Sequence, residues 1–225
     1  MKQKKLKQYT IFLIIGSAIL LGILTYLVYY HPISNIDVTF SRDFQSEGDT
    51  VLKKTLLFNV FRAVSFIGTP LIAAPIVILT SLFFWLFKFY RESAYAILTA
   101  ISIPVDFIIK NIINRPRPTE DVVNIIDNQV SPSFPSGHVV FFTVFFGYVI
   151  ISMLINKKIN RYLRFIAIAT SVTLIVLISF SRVYLGAHWI TDVIGGYLVG
   201  FIILALVAYL YLKPIFKKMD RKISA

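Results

Sequence analysis

The sequence has no cysteine, and only 15% of its residues are charged. The first absence excludes disulfide staples, thiolate zinc sites and the cysteine-nucleophile phosphatases. The second, against roughly 25% in an ordinary soluble domain, excludes a soluble globular protein once 57% hydrophobic residues and a mean hydropathy of +0.76 are set beside it. There is no Gly-X-Y period, no sustained heptad and no internal repeat, so collagen, coiled-coil and solenoid architectures fall away. Disorder falls with them, because the apolar content is high. Also missing are an Asp-x-Asp pair, a His-Glu-x-x-His helix and a glycine-rich Walker loop, so neither a metal site nor a nucleotide site is signalled.

What is present is a set of separate apolar stretches at residues 11–30, 70–87, 94–109, 139–155, 165–180 and 193–212. A bilayer core needs about 20 helical residues to cross, so these predict an all-α bundle of six transmembrane helices, with residues 1–225 forming one membrane-embedded domain. Several runs are short. Their extensions carry His, Arg and Lys, which is tolerable where those ends face the bundle interior or water. The first run follows Lys2, Lys4, Lys5 and Lys7 but ends without a small-residue cleavage site, so it reads as a retained span rather than a signal peptide.

A net charge of +12 and a pI near 9.9 raise the question of nucleic acid, but that reading needs a basic patch on one accessible face. Topology accounts for the charge better. With six spans both termini share a side, and that side holds fifteen Lys and Arg against Glu92 and Asp220, or 15 − 2 = +13. The other side holds eight against nine acids, or 8 − 9 = −1, and the two sum to +12. Lys and Arg accumulate on the cytoplasmic side, so the chain is expected in the plasma membrane with both termini cytoplasmic. The partners this implies are the bilayer and a substrate within it, with no nucleic acid. Between the first two spans, residues 35–50 are polar, and Leu56, Leu57, Val60, Phe61, Val64 and Ile67 recur at helical spacing opposite Asn59, Arg62 and Ser65. That pattern fits a short amphipathic interfacial helix on the outer surface, or equally a helix packed on the core.

Three clusters fall on the outer side. After the third span come Lys110, Arg115 and Arg117; Pro116 and Pro118 forbid helix there and fix both guanidiniums in a rigid turn. Such forks suit phosphate oxygens, although an ordinary basic membrane edge has the same composition, and Asp106 stands four residues before Lys110 as a helix-pair neutraliser. Opening the fourth span, Pro135-Ser136-Gly137-His138 offers a capping serine, a glycine that permits close approach and a helix start suited to an anion; the competing account is a capped helix with a structural histidine. Before the sixth span, Ser181-Arg182 is followed by His188 and Asp192. An aspartate accepting from Nδ1 leaves Nε2 lone-paired and nucleophilic, against the alternative of a structural His–Asp bond. Taken together, two histidines beside fixed cations and a helix start describe phosphoryl transfer, in which the protein mainly positions groups and supplies positive charge. With no clustered carboxylates, lysine and arginine stand where metals act elsewhere, so a metal-independent enzyme without cofactors is expected.

These residues resemble the type 2 phosphatidic acid phosphatase superfamily, the integral membrane lipid phosphate phosphatases, including bacterial members of the phosphatidylglycerophosphatase B kind, to which the vanadium haloperoxidases are also related. All three motifs are complete: Lys110, Arg117 and Pro118; Pro135 to His138; and Ser181, Arg182, His188 and Asp192, eleven specified residues in order. The resemblance implies that His188 is the nucleophile forming a phosphohistidine, that Asp192 orients it and that His138 protonates the leaving oxygen. It implies a phosphate cradle of Lys110, Arg117, Ser136, Gly137, Ser181 and Arg182. Arg115 lies in the unspecified spacer of the first motif, so the resemblance gives it no role. The expected activity is hydrolysis of a lipid phosphate or diphosphate at the outer face, with undecaprenyl diphosphate or phosphatidylglycerol phosphate favoured over other lipid phosphates. The rival from another class is a carrier that grips lipid phosphate without cleaving it; the His188 and Asp192 pair argues against that, because binding needs cations but no oriented nucleophile.

Overall fold

The computed structural model describes residues 2–46, 51–127 and 129–223, and among them the chain is helical with no strand. In order these residues form α1 (Lys2–Tyr30), α2 (Asn35–Ser46), α3 (Val51–Ile67), α4 (Pro70–Leu86), α5 (Tyr90–Leu98), α6 (Ser102–Ile113), α7 (Gly137–Ile155), α8 (Arg161–Tyr184) and α9 (Ile190–Ile223). Five stretches are long and apolar enough to cross a bilayer: Gln3–Tyr30, Tyr90–Ile113, Gly137–Ile155, Arg161–Tyr184 and Ile190–Lys217. The sixth is a bent pair, Thr55–Ile67 with Pro70–Leu86, kinked by 63°. The kink has a local cause. Pro70 is pre-set for the first position of a helix but forces the residue before it out of helical geometry, and Thr69 sits extended at φ −68°, ψ 144°.

Between α1 and Pro70 the chain therefore forms two helices. α2 arises within the polar stretch, whose last residues, 47–50, lie outside the described residues. α3 takes the core-packing alternative: it runs along α8, burying Phe61 and Val64. Ser65, placed by the sequence on the polar side, is buried as well, for a reason that becomes plain at the site.

At the centre stands α7, packed against both α8 and α9 and burying Phe141, Phe142, Phe145 and Phe146. The outer helix α1 leaves most of its apolar side chains exposed and α8 half of them, as lipid-facing helices do, since acyl chains are as apolar as leucine. Small residues allow the central helices to approach closely. A Cβ at Gly200 on α9 would lie 2.7 Å from Thr143 Cβ on α7, and threonine, branched at Cβ, is stiff and buried. α1 lies along α9, and the Gln3 amide donates to the Asp220 carboxylate at 3.0 Å. The start of α1 and the end of α9 thus meet at one end of the bundle. The end of α6 and of α8 and the starts of α7 and α9 converge at the other.

Replacing Gly200 with Val should overpack the α7–α9 contact and destabilise the fold by about 1–3 kcal/mol. Thermal unfolding in detergent should show a lowered midpoint; an unchanged midpoint would contradict the close approach.

Candidate active site

Five of the residues singled out by sequence, Lys110, Arg117, Gly137, His138 and His188, line one cavity of about 240 Å³. Asp192, Ser136, Ser181 and Arg182 are fully buried and do not line it. The rest of the wall is largely small or apolar and comes from the α3–α4 corner and α6, with Gly68, Pro70, Ala73, Ala74 and Ile103, and from Phe141 on α7.

Each group is held by its own local device. α6 stops at Asn114, which takes the left-handed conformation at φ 48° and returns its amide to Lys110, so Lys110 sits in the last turn with its ammonium directed to Asp106 at 2.8 Å and to the Pro135 carbonyl. Beyond it the proline-rich segment places Arg117, whose guanidinium donates to Ser131 O at 2.6 Å and Ala187 O at 2.5 Å. One cation thus ties the 114–136 loop to the turn before α9. Its Nη1 also lies 3.3 Å from His188 Nε2. Burial, and next the nearby Arg182, pull Arg117 down to about 10, which still leaves it charged at neutral pH.

Ser136 occupies the N-cap position of α7 yet makes no capping bond with its side chain. Its Oγ, the Nε2 of His138 and the Nε and Nη2 of Arg182 are buried without a hydrogen-bond partner. Buried polar groups are almost always paired, so four unmet groups on the starts and ends of neighbouring helices form a donor set that matches an oxyanion. Gly137 contributes closeness: a Cβ there would fall 2.5 Å from Asp106 Oδ2, so only glycine lets the start of α7 sit against the Asp106–Lys110 pair.

His188 precedes α9, and Asp192 is in the first turn of that helix. Their contact, Nδ1 to Oδ2 at 3.4 Å, is therefore made across a helix start rather than along one helical face. The same Oδ2 accepts the Trp189 amide at 2.9 Å and the Ser133 hydroxyl, and Oδ1 accepts from Arg115. With Nδ1 toward a carboxylate and Nε2 toward a guanidinium, the bonding pattern assigns the proton to Nδ1 and the lone pair to Nε2. Burial first, and then the positive charges of Arg117, Arg182 and Lys110, hold the imidazole of His188 well below its ordinary value, so the ring is neutral at physiological pH.

Two sequence-assigned residues are engaged otherwise than expected. The Ser181 hydroxyl donates to the Phe61 carbonyl at 2.7 Å and so pins α8 to α3 instead of facing the cavity. Arg182 shares one nitrogen, Nη1, between Ser65 Oγ and Asp127, the latter at 2.6 Å; this pairing explains the buried polar position on α3. Burial opposes ionisation of Asp127, but the Arg182 guanidinium and the Gln129 and Arg182 hydrogen bonds outweigh it and hold its carboxyl below the usual range. Sequence reasoning passed over Asp127, Ser133, Ser65 and Asp37. Each is a single polar residue outside a motif, and of the four Asp127 and Ser133 lie in the loop flanked by motif residues.

A helical membrane bundle that lines one cavity with two histidines, Lys110 and Arg117 defines a membrane-embedded lipid phosphatase. The PAP2 superfamily profile matches residues 90–216, more than half of the sequence, and the chain belongs to that superfamily. Phosphatidylglycerophosphatase B of Bacillus subtilis (strain 168) is 26% identical over 169 residues, covering 72% of this chain and 79% of that protein. The crystal structure of a transmembrane PAP2-type phosphatidylglycerolphosphate phosphatase from Bacillus subtilis is similar with a TM-score of 0.71 at 21% identity, over 93% of this chain and 96% of that one. That of LpxE from Aquifex aeolicus gives 0.57 at 22% identity, over 79% and 97%. At those identities the two structures speak for a shared fold.

Because Ser136 Oγ bonds nothing in the fold, Ser136→Ala should leave thermal stability within about 0.5 kcal/mol, whereas a working cap would cost about 1 kcal/mol. The same substitution should weaken competitive inhibition by inorganic phosphate. A lowered unfolding midpoint with unchanged inhibition would show the hydroxyl to be structural.

Proposed function

We propose that the protein hydrolyses the phosphate ester or diphosphate of a membrane lipid, with phosphatidylglycerol phosphate and undecaprenyl diphosphate the favoured substrates, through a phosphohistidine on His188. The observation that carries this is the single cavity in which Lys110, Arg117, His138 and His188 stand beside a wall of Ala73, Ala74, Ile103 and Phe141. The charged lining residues suit a phosphate and the apolar ones an acyl or prenyl chain. The name of the Bacillus subtilis relative, phosphatidylglycerophosphatase B, supports the first substrate.

In the first step the Nε2 lone pair of His188 attacks phosphorus and the bond to the leaving oxygen breaks in line with it. That oxygen keeps the bonding pair and takes a proton from His138. The leaving group is the lipid alcohol, or a lipid phosphate when the substrate is a diphosphate. In the second step water, deprotonated by His138, attacks phosphorus; the P–N bond breaks and its electrons return to Nε2. Asp192 orients the ring throughout. Lys110, Arg117, Arg182, Ser136 and the Gly137 amide cradle the equatorial oxygens, supplying the positive charge that the spreading negative charge requires. Ser181 belongs to the cradle only through the position it gives α8. The site is at the opposite end of the bundle from the start of α1, so termini in the cytoplasm put the chemistry at the outer leaflet of the plasma membrane, where the positive-inside count supports it.

The purified protein in detergent with EDTA should release phosphate from phosphatidylglycerol phosphate or undecaprenyl diphosphate, and should form an acid-labile, base-stable phosphoenzyme. His188→Ala should abolish both, since His188 is the lining residue whose ring a buried carboxylate orients. Turnover within tenfold of wild type would reject the assignment, and binding without any release would mark a carrier. The pH dependence follows from the lowered His188. Protonation removes the attacking lone pair, and because the ring resists it, kcat/KM should fall only as pH drops through a value below the free-imidazole 6.5. An acid limb at or above 6.5, or a flat profile, would contradict a neutral buried nucleophile.

A further inference from the structure

Arg115 is buried, nearly as deeply as Arg182, yet it neither lines the cavity nor has a side-chain bond to any residue of the proposed cradle. Four of the five N–H donors of its guanidinium are engaged within the fold. Nε donates to the Pro32 carbonyl at 2.8 Å, Nη1 to the Thr191 hydroxyl at 2.7 Å and to Asp192 Oδ1, and Nη2 to Asp37 Oδ2 at 2.7 Å. Asp37, on α2 and fully buried, completes the arrangement. Its Oδ1 accepts from the Thr191 amide at 3.1 Å and hydroxyl at 2.8 Å, and its Oδ2 from the Ser34 hydroxyl at 2.8 Å. The result is an unbroken line of alternating charge, Asp37, Arg115, Asp192, ending on His188.

We infer that Asp37 and Arg115 are positioning residues for the reaction at His188, Arg115 by fixing the Asp192 carboxylate and Asp37 by supplying the second negative charge of the line. The inference rests on the phosphohistidine reading above. When Nε2 bonds to phosphorus the ring keeps its Nδ1 proton and becomes cationic. Around it stand Lys110 on α6, Arg117 from the loop, His138 on α7 and Arg182 on α8, all cations or neutral, with Asp192 on α9 as its carboxylate neighbour. With Asp37 the three-residue line carries −2 + 1 = −1, which matches the new positive charge; without Asp37 it carries zero. A carboxylate in α2, 151 residues from His188 in sequence, thereby takes part in the charge balance of the intermediate. Arginine is required at the centre because only a planar fork serves two carboxylates, a hydroxyl and a carbonyl at once.

The test compares wild type, Asp37→Asn and Arg115→Lys in detergent, using lipid phosphate turnover, inorganic phosphate as competitive inhibitor and the acid limb of kcat/KM. Asp37→Asn, isosteric and uncharged, should lower kcat about 10- to 100-fold, the range for outer partners of a functional imidazole. KM and phosphate inhibition should hold, and the acid limb should move to lower pH, because removing negative charge disfavours the imidazolium. Arg115→Lys keeps the charge but not the fork, so kcat should fall with the limb in place. An Asp37→Asn variant with kcat within twofold of wild type and an unmoved limb would overturn the inference. So would loss of phosphate inhibition together with turnover in that variant, which would make Asp37 merely structural. Arg115→Lys with raised KM, weakened phosphate inhibition and retained kcat would place Arg115 in the cradle instead and equally overturn it. If wild type forms no phosphoenzyme, the phosphohistidine reading itself fails, which is distinct from a wild type that forms it and an Asp37→Asn variant that forms it equally fast.

Discussion

A carboxylate taken out of water must be surrounded by donors, since its desolvation costs several kcal/mol. Asp192 meets that demand with the Trp189 amide, the Ser133 hydroxyl, the Arg115 guanidinium and the His188 ring. Satisfying one acid fixes four segments at once: the turn before α9, the loop ahead of α7, the proline-rich stretch after α6 and, through Arg115, the start of α2. The backbone joins in, for the Ser136 amide donates to the Asp192 carbonyl at 3.0 Å and locks the start of α7 to the start of α9. The placement of both histidines follows from this knot.

A division of labour among the cations comes with it. Arg115 is turned to two acids, a hydroxyl and a carbonyl, Arg117 holds two loops together while touching His188, and Arg182 keeps two of its three nitrogens unbonded. Three arginines of the same chemistry thus differ in how many of their donors the fold itself occupies. Lys110 sits between, neutralised by Asp106 yet lining the cavity.

The sequence makes the spans legible because apolar runs of bilayer length leave few alternatives, and it makes the motif residues legible because their spacing is specific. Ser136, by contrast, reads as a cap and turns out to occupy the cap position without the bond. Ser181 reads as a phosphate ligand while its hydroxyl is held by Phe61, 120 residues earlier. Asp37 and Arg115, 78 positions apart, could not be joined by inspection, since pairing across that distance is decided by how α2 folds against α9. The kinked α3–α4 pair is intermediate: Gly68-Thr69-Pro70 marks a break, but whether α3 lies on the surface or against α8 depends on Ser65 meeting Arg182 and Asp127.

α9 runs 34 residues, about 51 Å at 1.5 Å per residue, with Asp192 in its first turn and Asp220 near its far end joined to the beginning of α1. Handles attached there, whether a fluorophore, an affinity label or a surface tether, are separated from the His188 imidazole by about the length of the rod. The two helix ends that carry them are also adjacent, so a pair of probes would report on the integrity of the α1–α9 seam without disturbing turnover.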